Sequence, residues 1–298
     1  MFKIIEKSKI WFSISLAIIL IGVVLMFTRG LNFGIDFKGG TKLVVEFGEN
    51  FDKVEADSIV KEYATDAVTK TVEGTQYEIK STELDETKTS ELFEALKEKY
   101  SLEDTALISQ TQIGPSIGRE LTKNALIAVL VACIAMLVYI AIRFEFAFGV
   151  AAIIALVHDV LITLSVYAIF DIPVNSSFIA AMLTIVGYSI NDTIVVFDRI
   201  RENSHSMRRS TPTEIANTSI NKTLARSINT SLTTLIVIGA VNVFVPTVRE
   251  FSFPLLVGIT AGAYSSIFIA SSIATAMTIV ALTQEILLIK KRSVFHTS

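Results

Sequence analysis

Two polar residues, Asn191 and Asp192, interrupt a stretch of sequence that is otherwise largely apolar between Phe178 and Phe197. An ionised aspartate at the middle of a bilayer costs about 2.5–3.5 kcal/mol on insertion scales, so it is retained where it has a partner or a hydrated cavity. A carboxylate that exchanges a cationic partner for a proton can work as a proton relay. The pattern therefore predicts an ion-relay site at Asp192, with Asn191 as its polar neighbour.

The cationic partner that the sequence offers is Arg226, at the edge of a polar stripe on the next long apolar segment. The stripe is a set of hydroxyl residues on one face of a helix: Thr223, Ser227, Thr230, Ser231 and Thr234. Arg226 starts near the expected depth of Asp192, so the two can meet directly or through water. A permanent link between two helices is the simpler alternative. The hydroxyl stripe favours the relay, because a permanent ion pair between two helices does not need hydrated polar residues around it. Ser227, Thr230 and Thr234 are further candidates for the relay.

A second pair of titratable residues, His158 and Asp159, lies within another apolar segment. Both side chains can change protonation state, so both are further candidates for the relay. A lone buried histidine is more often simply hydrogen-bonded, and that alternative stays open.

The composition predicts that these residues lie in a membrane. Hydrophobic residues make up 51% of the 298 residues, charged residues 18%, and the mean hydropathy is +0.58, which is too apolar for an ordinary soluble chain. Because about 20 apolar residues cross a bilayer as a helix, the sequence predicts an α-helical polytopic membrane protein with six transmembrane helices. They are expected near Ile10–Phe27, Ala125–Ile142, Phe146–Phe170, Ser177–Phe197, Ser227–Val245 and Leu255–Leu282.

Basic residues predict the orientation, because short loops rich in Lys and Arg stay in the cytoplasm. They cluster before the first span, between the fourth and fifth, and after the sixth, so both termini are expected to be cytoplasmic. The first apolar run is too long for a signal peptide and is interpreted as a retained anchor. The predicted regions are residues 1–30 (N-terminus and first helix), 31–121 (an extracytoplasmic domain), 122–285 (a five-helix bundle) and 286–298 (a cytoplasmic tail).

The predicted extracytoplasmic domain has the composition of a soluble unit. Residues 41–47, 76–81 and 106–113 alternate like strands, and two helical patterns lie between them, the first running from Val54 to Val68. The order strand, helix, strand, helix, strand predicts a small α+β, ferredoxin-like sheet covered by two helices. Its excess of acidic residues argues against nucleic acid as a ligand.

Small residues predict close helix packing and possible hinges. Gly258, Gly262, Ser266 and Ala270 recur at every fourth position of the sixth span, a ridge that packs within the chain or against another subunit. Glycines also flank the soluble domain, where sharp turns can form a hinge or ordinary loops. The hinge candidates are Gly34, Gly39, Gly40, Gly114, Pro115 and Gly118.

Several kinds of chemistry are not predicted. The sequence has no G-x-x-x-x-G-K-[ST] motif, so ATP hydrolysis is not expected. No Ser-His-Asp trio is placed for an intramembrane protease either, so no enzymatic activity is predicted. Three histidines and the single Cys133 do not form a plausible zinc site, and no metal or other cofactor is predicted. An ion gradient is the remaining energy source, since a membrane potential supplies about 2.3 kcal/mol per charge per 100 mV.

Six blocks of the sequence resemble the signature blocks of the SecF family of bacterial protein-export membrane proteins. They are GIDFKGGT (34–41), GPSIGREL (114–121), ALVHDV (155–160), GYSINDTIVVFDRIREN (187–203), NKTLARSINTSLTTL (221–235) and GITAGAYSSIFIA (258–270). They follow the family's order over nearly the whole chain. The resemblance implies a six-span half of an RND-like twelve-helix assembly whose other half is SecD. It also implies that Asp192 and Arg226 occupy the family's functional carboxylate and arginine positions.

The resemblance further implies partners and a location. The SecYEG channel, YajC and an unfolded exported polypeptide are the expected partners, in the bacterial cytoplasmic membrane, with proton or sodium motive force as the driving energy. Some relatives are fused SecD–SecF chains, whereas a six-span chain requires a separate SecD. An assembly scaffold without its own ion step remains the alternative, and drug efflux is disfavoured by the single small external domain. Asp, Asn, Ser and Thr can serve either a proton or a sodium ion.

Overall fold

The structure, a computed structural model, describes residues 2–48, 51–72 and 74–295 of the chain. The predicted tail, residues 286–298, lies partly outside this description. Residues 296–298 are not included in it, and residues 285–295 are described only by their helical backbone.

Four antiparallel strands form one sheet: β1 (Gly40–Glu46), β2 (Val68–Val72), β3 (Gln76–Ser81) and β4 (Leu107–Ile113). The strand order is β2-β3-β1-β4, with Leu43 of β1 opposite Ile79 and Gln110. Helix α3 (Lys53–Tyr63) connects β1 to β2, and α4 (Glu86–Tyr100) connects β3 to β4. This βαββαβ order is that of a ferredoxin-like unit, so the predicted small sheet with two helices is confirmed. We call residues 40–113 the sheet domain.

The predicted order of elements in this domain was wrong by one strand, β2. The helical spacing of apolar residues runs from Val54 to Val68 in the sequence, but α3 ends at Tyr63 and the backbone of Ala64 is extended (φ −149°, ψ 107°). Val68 instead begins a strand that pairs with β3. The segment VTKTV is rich in β-branched residues, which favour strands over helices, so this composition was the signal that the periodicity concealed.

The core of the sheet domain lies between the sheet and its two helices. Inward-facing strand residues meet one face of α3 and of α4, and these side chains are fully buried: Leu43, Val45, Tyr77, Ile79, Val60, Leu92 and Leu96. The two helices begin at aspartates whose side chains accept backbone N–H groups, Asp52 for α3 and Asp85 for α4. The domain therefore has its own apolar core.

Within the described residues, six helical segments are long and apolar enough to cross a bilayer, which confirms the predicted six-span fold. Five are α1 (Ser8–Thr28), α5 (Pro115–Arg143), α6 (Phe146–Ile169), α7 (Ser176–Ser206) and α8 (Pro212–Phe244); α2 (Ile35–Lys38) is a short helix after α1. The sixth segment consists of α9 (Arg249–Tyr264), a π-helix (Ser265–Ala270) and α10 (Ser271–Phe295). Helices α6, α7 and α9 form the buried centre of the bundle, whereas α1, α5 and α8 bury few of the residues in their apolar stretches.

Candidate ion-relay site

Asp192 lies on the face of α7 that packs against α8. Its side chain is buried at 8% exposure, and Ser227 and Ser231 of α8 are buried at 1% and 5%. Within the described residues, Oδ2 of Asp192 and the hydroxyl oxygens of both serines have no hydrogen-bond partner. Buried polar atoms nearly always have one. The Ser227 hydroxyl is near enough to act on the Asp192 carboxylate, so this contact between α7 and α8 can take up a proton or a small cation.

Arg226 is adjacent to this site but turned away from it. Its guanidinium is close enough to attract the Asp192 carboxylate, yet no ion pair joins the two side chains in the part of the chain described. Arg226 and Ser227 are consecutive, and consecutive side chains point about 100° apart on a helix. Ser227 therefore faces α7, while Arg226 is exposed on the side of α8. Asn191 is likewise exposed, at the edge of the same helix contact.

The hydroxyl stripe of α8 divides into two parts. Thr223, Ser227 and Ser231 are buried against the rest of the bundle, whereas Thr230 is exposed and Thr234 half-buried. The Tyr188 hydroxyl lies 3.2 Å from both the Thr230 carbonyl oxygen and Oγ1 of Thr234. Sequence reasoning missed Tyr188, which ties α7 to α8 one turn away from Asp192.

A second buried carboxylate, Asp159, lies halfway along α6 beside His158. Nδ1 of His158 is 2.9 Å from Oδ1 of Asp159, and Nε2 is 2.8 Å from the hydroxyl oxygen of Ser15 on α1. The Ser189 hydroxyl from α7 and the Ser265 hydroxyl from the π-helix both donate to Oδ2 of Asp159. Unlike Asp192, Asp159 thus has partners at both oxygens. The sequence suggested the pair but not its three serine partners.

The π-helix extends this second polar cluster. Oγ of Ser266 lies 2.8 Å from Oγ1 of Thr193, and Thr193 also donates to the Ser189 carbonyl at 3.2 Å. All of these side chains are buried. Single π-turns inside α-helices are frequent at functional sites, and here the π-turn presents two consecutive serines to α6 and α7.

The small-residue ridge of the sixth span packs against α7 of the same chain. A Cβ atom added at Gly258 would lie 2.2 Å from Cδ1 of Ile185, and one at Gly262 would lie 3.0 Å from Cβ of Ser189. Ser266 and Ala270 are fully buried. The ridge lets α7 approach closely enough for Ser189 to reach Asp159, so this packing positions the second carboxylate's partners.

The glycines predicted as hinges meet at the base of the sheet domain. Gly39 and Gly40 have φ of +84° and +145°, and a Cβ at Gly40 would lie 2.4 Å from the Ser81 carbonyl oxygen. Gly118, in the first turn of α5, packs against the backbone of α2. Gly34 donates to the Val174 carbonyl at 2.7 Å. Gly114 caps α5 and Pro115 is its first residue, with an ordinary backbone. Of the residues predicted as hinges, only Gly39 and Gly40 therefore adopt backbone angles that specifically favour glycine.

A charged contact that the sequence did not reveal joins the sheet domain to the bundle. Oε1 of Glu250, at the start of α9, accepts from Lys80 and from Lys70 at 3.3 Å, and Oε2 accepts from Asn175 at 2.5 Å. Glu250, Lys70 and Lys80 line a cleft of about 490 Å³. Sequence reasoning passed over Glu250 because nothing local distinguishes it from a loop carboxylate.

Electrostatics favour the ionised forms of two residues at this contact, Glu78 and Lys80. Burial acts to raise the pKa of Glu78, but the ammonium groups of Lys42, Lys80 and Lys70 outweigh it and keep that pKa below its usual range. Burial likewise opposes the charge on Lys80, but Glu250 and Glu78 raise its pKa overall. Lys80 is therefore a charged link between the sheet domain and the bundle.

The fold and the buried carboxylates define a class: a helical multi-pass membrane protein with one ferredoxin-like domain and ionisable groups inside its bundle. The family described as "Protein export membrane protein SecD/SecF, C-terminal" matches residues 93–280, and the "SecD/SecF GG Motif" matches residues 24–50. The chain belongs to the SecD/SecF family, and its relatives described below are SecF subunits. Gly39 and Gly40 lie within the second match.

Relatives and solved structures agree with this family. A "Protein translocase subunit SecF" from Sebaldella termitidis is 40% identical, covering 90% of this chain and 89% of the relative. Another, from Vibrio alginolyticus, is 38% identical over 90% and 87%. The crystal structure of SecDF, a translocon-associated membrane protein from Thermus thermophilus, superposes with a TM-score of 0.81 at 36% identity. That match covers 93% of this chain but 38% of the SecDF chain, so this chain spans less than half of it.

Proposed function

We propose that the chain is the SecF subunit of a protein-translocation machinery. It acts with SecD to couple the proton or sodium motive force to the export of unfolded preproteins. Family membership supports the translocation role, because the similar proteins are translocase subunits. This chain matches only 38% of the fused SecDF chain, which supports a requirement for a separate SecD subunit as the other half of the assembly.

One observation supports the ion-coupling step most strongly: the Asp192 carboxylate is buried with an unpartnered Oδ2, and the buried Ser227 hydroxyl of α8 is its polar neighbour. A charge held in a bilayer span costs several kcal/mol unless it is neutralised. Binding a proton or a sodium ion neutralises Asp192. When the ion leaves, the carboxylate attracts the nearby Arg226 guanidinium. The alternation changes the contact between α7 and α8.

The exposed polar side chains within the spans support a protein partner in the membrane. Asn191, Arg226 and Thr230 lie on the exposed side of α7 and α8, where facing lipid tails would be costly. SecD is the partner that covers them in this proposal. The family resemblance adds the SecYEG channel and YajC as further partners.

The orientation belongs to the same proposal. Both termini lie in the cytoplasm, the sheet domain lies on the outer side of the bacterial inner membrane, and basic residues of the short loops support this arrangement. Changes in the α7–α8 contact reach the sheet domain through α9, whose first turn carries Glu250. The sheet domain then moves against the exported chain.

Preprotein export into vesicles that contain the chain and its matched SecD tests this proposal. We expect Asp192→Asn to leave the complex assembled and to lower gradient-stimulated export to the level of vesicles without the chain. Asp171→Asn is the matched control, because Asp171 is an exposed residue of the α6–α7 loop at φ +52°, which Asn also tolerates. Collapsing the proton and sodium gradients separately identifies the driving ion.

The assembly scaffold is the competing function, and the same assay separates it. Normal gradient-stimulated export by Asp192→Asn would refute ion coupling in this chain and favour the scaffold. Loss of the SecD complex in that variant would also contradict the proposal, because Asn is nearly isosteric with Asp. Loss of assembly in Gly262→Leu would not distinguish the scaffold from ion coupling. Gly262 packs on Ser189 within this chain, so a bulky residue there disturbs the fold under either function.

A further inference from the structure

The His158–Asp159 pair has no assigned task, although it lies at the centre of the bundle. His158 is the thirteenth of the 24 residues of α6, and the two side chains are exposed by only 7% and 0%. Three elements converge on them: α1 through Ser15, α7 through Ser189, and the π-helix through Ser265. The pair is thus a junction between helices, separate from Asp192, which faces α8.

The surroundings of the pair fix its charge. Among the described residues, no Lys or Arg forms an ion pair with Asp159, so His158 is the only group that supplies a positive charge. Ser15, Ser189 and Ser265 do not titrate, and α5 and α10 contribute no charged contact within the described part of the chain. The other titratable neighbour is Tyr264 of α9, whose ring lies 6.1 Å from the imidazole centroid. An ionised carboxylate at this depth is costly unless neutralised, and one proton added to the pair would neutralise it.

That proton determines how α6 bonds to α1. With the proton bound, both imidazole nitrogens carry hydrogen, so Nδ1 donates to Asp159 and Nε2 donates to Ser15. Without it, Nδ1 still donates to Asp159, and Nε2 accepts from the Ser15 hydroxyl instead. This is the single side-chain hydrogen bond between α1 and α6 among the described residues. Gain or loss of the proton therefore reverses its direction.

The π-helix is suited to follow this change. The Ser265 hydroxyl has one hydrogen and two acceptors within reach, Oδ2 of Asp159 at 2.9 Å and the Gly262 carbonyl at 3.2 Å. A fully charged carboxylate attracts the hydrogen more strongly than a carbonyl does. When His158 carries the proton and neutralises the charge of Asp159, the Ser265 hydroxyl can donate to the Gly262 carbonyl of the preceding turn instead.

We infer that His158 and Asp159 form a second proton-binding site, with one proton taken from water onto the imidazole, and that this proton sets the hydrogen bond by which α6 holds α1. Helix α1 leads through α2 into β1, so the site links a proton to the helix that carries the sheet domain. Proton binding stands independently of Asp192. A contribution to export rests on the function proposed above.

Nitrogen NMR of imidazole-labelled full-length chain in lipid nanodiscs tests the proton. The chain has three histidines, and replacing His205 and His296 by Gln leaves His158 as the only signal. We expect an imidazolium signature at neutral pH, and a neutral imidazole in Asp159→Asn. A neutral imidazole in the unmodified pair, or an imidazolium that survives Asp159→Asn, would overturn the inference. The same signature is expected in an Asp192→Asn background, so this test does not depend on the Asp192 site.

Ser15→Ala tests the link to α1 and guards against an Asp159 variant that does not fold. We expect the imidazolium signature to remain, while gradient-stimulated export falls about tenfold, the effect of losing one hydrogen bond to a charged group. Ser15→Thr should restore export because it keeps the hydroxyl. Ser13→Ala is the matched control, since the exposed Ser13 bonds only its own helix at Lys9. Export unchanged in Ser15→Ala would contradict the link, and would do so without affecting the Asp192 result.

Discussion

Replacing Glu250 by Gln should loosen the sheet domain from the bundle. The change removes the charge that Lys70 and Lys80 contact, but it keeps a carbonyl oxygen for the hydrogen bond from Asn175. The three charged side chains are 32%, 37% and 20% exposed, and partly exposed ion pairs contribute about 0.2–1 kcal/mol each. The two pairs together stabilise the docked domain by about 0.4–2 kcal/mol, which corresponds to a shift of roughly 2- to 30-fold in the docking equilibrium.

Pulsed electron spin resonance can measure this shift on the full chain in lipid. Spin labels at Glu91 of α4 and at Asp171, both exposed, report the distance between the sheet domain and the bundle in a Cys133→Ser background. We expect Glu250→Gln to add a population at a different distance, and high salt to produce part of the same change in the unmodified chain. Glu62→Gln, an exposed Glu→Gln change on α3, is the control. An unchanged distance distribution in Glu250→Gln would refute the assigned role of this contact.

Three further predictions concern packing, backbone and pH. Gly258→Ala should destabilise the bundle by about 1–3 kcal/mol because its Cβ would collide with the buried side chain of Ile185. Gly187→Ala, where a Cβ has open space, should leave stability unchanged. Thermal unfolding of the two variants in detergent measures the difference. Gly40→Ala should destabilise the sheet domain by about 1–3 kcal/mol because φ is +145°, whereas Gly114→Ala at φ −67° should be nearly neutral, as measured by amide hydrogen exchange. The pKa of Glu78 is lowered in the folded chain, so its carboxylate stabilises the sheet domain fully above the pKa of an unfolded glutamate, about 4.3. This stabilisation is lost as the pH falls through the folded pKa. Amide-exchange protection of β3 should therefore decline over that acidic range, and should decline less in Glu78→Gln.

The spans and the sheet domain were predictable because bilayer helices and strands have periodic or continuous apolar patterns. The exceptions have local causes. Strand β2 was hidden because Val68 continued the spacing of the helix before it. The π-helix at Ser265–Ala270 has no sequence signature in an apolar segment, since its residues are also compatible with an α-helix. Helix α8 begins well before its apolar run because Thr211 and Glu214 form a capping box.

The candidate site was predictable in its residue types but not in all of its contacts. The energetic cost of charge in a bilayer singled out Asp192 and Asp159 from sequence alone. It could not identify Ser15 as a partner of His158, because the two are 143 positions apart. Depth suggested that Arg226 meets Asp192, but rotation about α8 turns Ser227 towards α7 instead. Glu250 was missed because its partners belong to strands far along the chain.

Infrared difference spectroscopy of the chain with its matched SecD in lipid tests the central claim most directly, namely that Asp192 gains and loses an ion. The spectrum is recorded while the proton or sodium concentration is changed, and the carboxyl bands are compared between the unmodified chain, Asp192→Asn and the control Asp171→Asn. We predict a carboxyl band that responds to one of the two ions, is absent in Asp192→Asn and is unchanged in Asp171→Asn. Identical responses in the unmodified chain and in Asp192→Asn would contradict the account.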